Sequence, residues 1–154
     1  MKSLRILTLV AVTLVLAPLL SAADFGIRAG RYNDADTEFV GAEVVFDIGA
    51  INVNPNIEYS LEDDVTAGSA NLDFTVDIVR MGSLRPFIGA GIGLAYAETD
   101  LGDTTEVLGN LIGGIALELS TLTPYAQVKY FKGLDDDEGE GDDDELALTI
   151  GLRF

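Results

Sequence analysis

The chain has 154 residues, 26 acidic against 9 basic for a net charge of −17, and neither histidine nor cysteine. The negative charge argues against holding nucleic acid or an anionic membrane surface by bulk electrostatics. Without cysteine there is no disulfide framework, and without histidine the commonest acid–base and nucleophile-activating group is missing.

At the N-terminus, Lys2 and Arg5 precede an almost wholly apolar run at 6–20, and Ser21, Ala22 and Ala23 supply the small residues a signal peptidase accepts. The run is short for a membrane span of roughly 20 residues. The pattern therefore predicts a secretory signal peptide over 1–23, cut between Ala23 and Asp24. Residues 24–154 make one domain by length, with a net charge of −19 once Lys2 and Arg5 are removed.

Eight runs of period-two alternation follow, each the mark of a strand with one apolar face. The first, 25–31, sets Phe25, Ile27 and Ala29 against Gly26, Arg28 and Gly30. In the second, 39–48, Val40, Ala42, Val44, Phe46 and Ile48 oppose Gly41, Glu43 and Asp47. The third, 51–61, is the cleanest: Ile51, Val53, Ile57, Tyr59 and Leu61 alternate with Asn52, Asn54, Asn56, Glu58 and Ser60. The fourth, 70–79, places Leu72, Phe74, Val76 and Ile78 against Asn71, Asp73, Thr75 and Asp77.

The fifth, 86–96, alternates Ile88, Ala90, Ile92 and Leu94 with Gly89, Gly91 and Gly93. The sixth, 107–119, has Leu111, Ile115, Leu117 and Leu119 opposite Asn110, Gly114 and Glu118. The seventh, 124–131, has Ala126, Val128 and Tyr130 opposite Gln127 and Lys129. The eighth, 146–154, carries Leu146, Leu148, Ile150, Leu152 and Phe154 on one face. Apart from Arg31 at a loop edge, no apolar face bears a charge.

That clean apolar face decides between two barrels. A soluble barrel turns its apolar face inward and its charges outward; here the opposite face is Asn, Gly, Asp, Glu and Thr, which suits a tight polar lumen. Polar-in, apolar-out strands of about 10 residues mark a transmembrane barrel, and a cation on the lipid face at the bilayer midplane costs about 2–4 kcal/mol. The reading is an all-β, eight-stranded antiparallel up-and-down transmembrane β-barrel in the cell envelope.

Connection lengths support it. Short links at 49–50, 82–83 and 120–121 alternate with longer polar ones at 33–38, 62–69, 97–105 and 132–145, as short periplasmic turns and long external loops would. Tyr59, Tyr96 and Tyr130 fall at one end of their strands and Phe25, Phe46 and Phe154 at the other, predicting two interfacial girdles. Pro55 sits mid-strand, where a bulge or a lumen water is expected to absorb its missing N–H.

With these features the chain resembles the small outer-membrane barrels of the OmpA and OmpX type. The resemblance covers 24–154 and is carried most specifically by LALTIGLRF (146–154) and RPFIGAGIGLAY (85–96). The first is similar to the signal such proteins show to the barrel-assembly machinery, with Leu146, Leu148, Ile150, Leu152 and Phe154 in that role. The resemblance implies eight strands, insertion in the outer membrane of a Gram-negative-type bacterium and a plugged interior. It implies no single function, because members serve as adhesins, anchors or enzymes. No peptidoglycan-binding domain of the OmpA kind is expected beyond the barrel pattern.

Two sets of residues are candidate sites. The lumen set is Arg28, Glu43, Asp47, Glu58, Asp73, Asp77, Glu118, Lys129 and Arg153, which should pair as a buried salt-bridge network, with Arg28 nearly opposite Glu43. An eight-stranded barrel is just wide enough for side chains to fill it. The alternative is a narrow, cation-preferring, porin-like channel.

The second set is the last loop, where Asp135, Asp136, Asp137, Glu138, Glu140, Asp142, Asp143, Asp144 and Glu145 put nine carboxylates in eleven residues. Such a run stays solvated and extended, or binds Ca²⁺ or Mg²⁺ loosely through hard oxygen ligands. It is not an EF-hand loop, since Gly139 takes the fifth ligand place. No cofactor beyond such an ion is implied. The sequence thus points to a non-enzymatic, monomeric barrel in outer-membrane lipid, displaying acidic loops for structural or interaction roles. A soluble periplasmic barrel that binds lipid inside is a more distant reading.

Overall fold

The computed structural model describes residues 23–62, 66–99, 102–134 and 144–154. The predicted signal peptide lies outside these residues except for Ala23, which opens the first strand opposite Phe46.

Eight strands close into a barrel: β1 (Ala23–Tyr32), β2 (Thr37–Ile48), β3 (Ile51–Ser60), β4 (Thr66–Asp77), β5 (Leu84–Thr99), β6 (Gly102–Leu117), β7 (Thr123–Gly133) and β8 (Glu145–Arg153). Each pairs antiparallel with the next, and β8 returns to β1. Closure leaves no sheet edge, so the ladder satisfies the backbone groups on its own.

The faces point as the alternation predicts. Ile27, Ile57, Leu111 and Ile150 are 58–67 % exposed, whereas Lys129, Glu43 and Asp73 are no more than 2 % exposed. Of the predicted girdle residues, Phe25, Tyr59, Tyr96, Tyr130 and Phe154 are exposed on the outside, and Phe46 is half-buried. Tight turns close one end, where Gly49 (φ 68°) and Gly82 (φ 65°) take the left-handed backbone that a two-residue hairpin requires.

Three of the expected long connections are shorter in the structure. The connection at 97–105 is mostly strand: β5 and β6 pair without a break from Leu84↔Leu117 to Thr99↔Gly102. β4 likewise starts at Thr66 rather than Ala70, pairing with Glu98, and the 33–38 link shrinks to a turn at 33–36. Beyond the apolar belt both faces of a strand meet water, so the alternation that reveals it in sequence disappears. Only β-branched residues such as Thr104, Thr105 and Val107 still mark it.

Pro55 makes no bulge. Its register with Leu72 is regular, and β2–β3 keep one register on either side of it. The β2–β3 pairing simply lapses opposite Val44 and Val45, where the proline nitrogen has no hydrogen to donate.

The interior is not uniformly polar. Phe39, Phe131 and Ala147, flanked by Tyr32 and Leu108, form an apolar layer toward the long-connection mouth. Phe87, Ile112, Ala116 and Tyr125 form another toward the short-turn mouth.

Candidate functional site in the barrel interior

Strand alternation turns Arg28 of β1, Glu43 of β2, Glu58 of β3, Asp73 of β4, Lys129 of β7 and Arg153 of β8 into the lumen, where they join into one chain of charges. Arg153 Nε donates to Glu43 Oε1 at 2.8 Å, and Arg28 Nη1 lies 3.7 Å from Glu43 Oε2. Arg28 Nη2 is 3.1 Å from Glu58 Oε1, an ionic contact in which neither atom has a hydrogen-bond partner. Lys129 Nζ stands 3.9 Å from the same Glu58 oxygen and donates to Asp73 Oδ2 at 2.6 Å.

Neutral donors complete the carboxylates. Asn54 Nδ2 donates to Glu43 at 2.6 Å, while Asn56 and Asn110 donate to Asp73 at 2.8 and 3.0 Å. Tyr32 and Ser69 hydroxyls donate to Glu58 Oε2 at 2.5 and 3.3 Å. Three cations face three carboxylates, so the network is neutral, which a desolvated interior demands. The polar strand faces read in sequence are thus the side chains that hold the carboxylates in place.

Arg28 is not directly opposite Glu43. It faces Gly41 in the ladder, and Glu43 faces Gly26, so the pair forms on the diagonal. This is one instance of a wider rule. Inward glycines lie directly across from large inward side chains: Gly26 from Glu43, Gly91 from Asp73, Gly30 from Phe39, Gly114 from Phe87 and Gly151 from Tyr125. A methyl group at Gly26 would come within 2.8 Å of Glu43 Cγ, so the glycine makes room for the carboxylate.

Asp77 and Glu118 do not reach this network. They form a second cluster at the short-turn mouth, with Arg85 Nη2 2.7 Å from Asp77 Oδ2 and Arg85 Nη1 3.1 Å from Glu118 Oε2. Arg80 adds a 3.4 Å contact to Asp77. Arg85, a cation outside the predicted lumen set, organises this cluster. Its signal was present, because it shares the inward parity of Gly89, Gly91 and Gly93. Asp47 is exposed and joins no ion pair among the described residues.

Residues 135–143 of the acidic loop lie outside the described residues. The two that are described act locally. Asp144 accepts from the Tyr130 hydroxyl, and Glu145 accepts from the backbone N–H groups of Asp34 and Ala35 at 2.9 and 3.0 Å. Among the described residues no group of three or more acidic side chains is placed to hold a metal.

No family model matches the chain. Uncharacterized proteins of Brucella abortus and Brucella suis are 36 % identical over 55 residues, which is 36 % of this chain and 19 % of theirs. The match therefore spans about a fifth of those relatives' length. Among solved structures, the N-terminal β-barrel domain of Pseudomonas aeruginosa OprF superposes with a TM-score of 0.68 at 18 % identity, covering 86 % of this chain and 96 % of that domain. Neisserial surface protein A gives 0.66 at 14 % identity, covering 85 % and 94 %. At these identities the likeness is one of fold, and the fold of this chain is that of the small eight-stranded outer-membrane barrels.

Proposed function

We propose that the chain is a non-enzymatic, monomeric integral protein of the bacterial outer membrane, delivered by a cleaved signal peptide and the barrel-assembly machinery. Its lumen is a plug, and its acidic outer connections are the surface it presents. The single observation that carries this reading is the order of layers inside the barrel: a neutral ion-pair network lies between two apolar layers. A water-filled conducting path needs hydrated walls, and the two apolar layers support a plug in its place. The apolar belt outside supports burial in lipid, since a soluble protein rarely exposes so large an apolar surface.

The same network supports a structural role for the carboxylates. Glu43, Glu58 and Asp73 are all held by cations, and the chain has no histidine to make any of them a relay. The outer loop at 135–143 gives the presented surface its strong negative charge, with loose Ca²⁺ or Mg²⁺ binding as a secondary property. Planar-bilayer recording tests the plug: the refolded protein is expected to give no steady conductance in 1 M KCl. Stable, cation-selective unit steps would replace the plug with a narrow pore. Membrane integration is tested separately by carbonate washing and by gel migration before and after boiling. Release into the wash together with unchanged migration would remove the barrel from the membrane.

A further inference from the structure

Pro55 leaves a defect in the outer wall of the barrel. The Leu61 N–H donates to the Glu38 carbonyl, and counting the β2–β3 register back from that bond makes Val44 and Pro55 a hydrogen-bonded position. Pro55 has no hydrogen to give, so the Val44 carbonyl loses its ladder donor, and the pairing lapses there. In hydrocarbon, where no water reaches it, such an acceptor is costly.

An apolar groove passes over the same spot. It occupies about 740 Å³ on the outside of the barrel, from Phe25 on β1 to Leu94 on β5, and Val44 and Pro55 both line it. That volume is within the roughly 300–1,000 Å³ of small-molecule sites. The outward-facing residues of the lining are all apolar, and Ala42 and Ala70 give the groove depth. Glu43 and Asn56 also line it although their side chains bond inside the lumen, so its floor beside Pro55 is main chain. The Val44 carbonyl therefore borders the groove.

The groove also has a direction. Val44 stands directly across from Phe25 of the short-turn girdle. The ladder row that leaves β1 at Phe25 reaches β7 at Lys132, near the long-connection end. A molecule lying along this row has one end at headgroup depth, beside the carbonyl, and its other end within the apolar belt.

We propose that this groove binds a monoacyl glycerolipid, its chain laid along the row and a free glycerol hydroxyl donating to the Val44 carbonyl. The match is electrostatic at one point, where the carbonyl's partial negative charge meets the hydroxyl hydrogen, and apolar elsewhere. A diacyl phospholipid has esterified the glycerol hydroxyls nearest its chains and brings no such donor. The proposal rests on the reading of the outer face as buried in lipid.

The test uses the full mature chain refolded in detergent and native mass spectrometry. Monopalmitoylglycerol is the probe, and its di-O-methyl ether, which keeps the chain but has no donor, is the counterpart. A single bound lipid is expected, held about fivefold more tightly than the ether. Pro55→Val restores an N–H opposite Val44 and should abolish that preference, with the ether bound as before. Ala70→Phe should fill the groove and remove both adducts, with the heat-dependent gel shift retained. Absence of an adduct, equal binding of the two lipids, or a preference that persists in Pro55→Val overturns the proposal. A lipid-free dimer also overturns it, by giving the groove to a second copy. Should Ala70→Phe fail to fold, Pro55→Val decides alone. Carbonate washing reports on membrane integration and the lipid preference on the groove, so the two readings fail separately.

Discussion

Lys129 on β7 reaches Asp73 on β4 with Nζ 2.6 Å from Oδ2, although 56 positions separate them and neither residue is more than 2 % exposed. The contact crosses the lumen, so it ties together strands that share no ladder. It also supplies the positive charge that lets Asp73 and Glu58 stay buried together.

Removing that charge alone should be costly. Lys129→Met is expected to lose about 3–5 kcal/mol of unfolding free energy, the range for breaking one partner of a buried pair. Adding Asp73→Asn should recover part of the loss, because the stranded carboxylate is gone. Urea titration of the refolded protein, read as the folded gel band, measures both. A loss below about 1 kcal/mol would mean the pair is hydrated.

Tyr125 and Gly151 form a size-matched pair across β7 and β8, and a Cβ at Gly151 would meet the Tyr125 ring. The Arg153 guanidinium lies over the same ring at 4.3 Å, which leaves the ring little freedom to retreat. Gly151→Val should therefore cost about 1–3 kcal/mol by overpacking, and Tyr125→Ala in the same chain should return most of it. Failure of the second substitution to rescue would locate the defect in the backbone.

The short-turn cluster should behave differently from the central one. Arg85 is only partly buried and Glu118 is 51 % exposed at the side chain, so water screens their attraction. Arg85→Ala is expected to cost about 1 kcal/mol or less, and less still in high salt. Urea midpoints at low and high ionic strength check this, and a cost matching that of Lys129→Met would contradict it.

The outward apolar face gives the sharpest test of orientation. Ile27, near the middle of β1, is 58 % exposed. Ile27→Arg should destabilise the protein by about 2–4 kcal/mol in bilayers if that face meets hydrocarbon. In a water-soluble barrel the same change would be nearly neutral. Refolding into liposomes across a urea series distinguishes the outcomes.

Much of this architecture is legible because a strand's period of two sorts side chains by face wherever the two faces meet different media. That is why the eight strands and the inward placement of Arg28, Glu43, Glu58, Asp73, Lys129 and Arg153 can be read along the chain. The strand ends are not legible for the same reason. Residues 97–98 and 102–106 stand where both faces meet water, and the pattern has nothing left to report.

Partner choice depended on closure. Which carboxylate each cation takes is set by register and barrel diameter, neither of which alternation encodes. Arg28 therefore sits across from Gly41 and shares Glu43 with Arg153, while Arg85 claims Asp77 and Glu118 at the mouth. The glycines opposite Glu43, Phe39, Phe87, Asp73 and Tyr125 look in sequence like gaps in the pattern; only the closed sheet shows them as the space a neighbour fills. Sequence alone determined the faces, because hydrophobic sorting is local and repeats every second residue. The tertiary structure decided the contacts, because ions and rings meet across the lumen only when eight strands close around them.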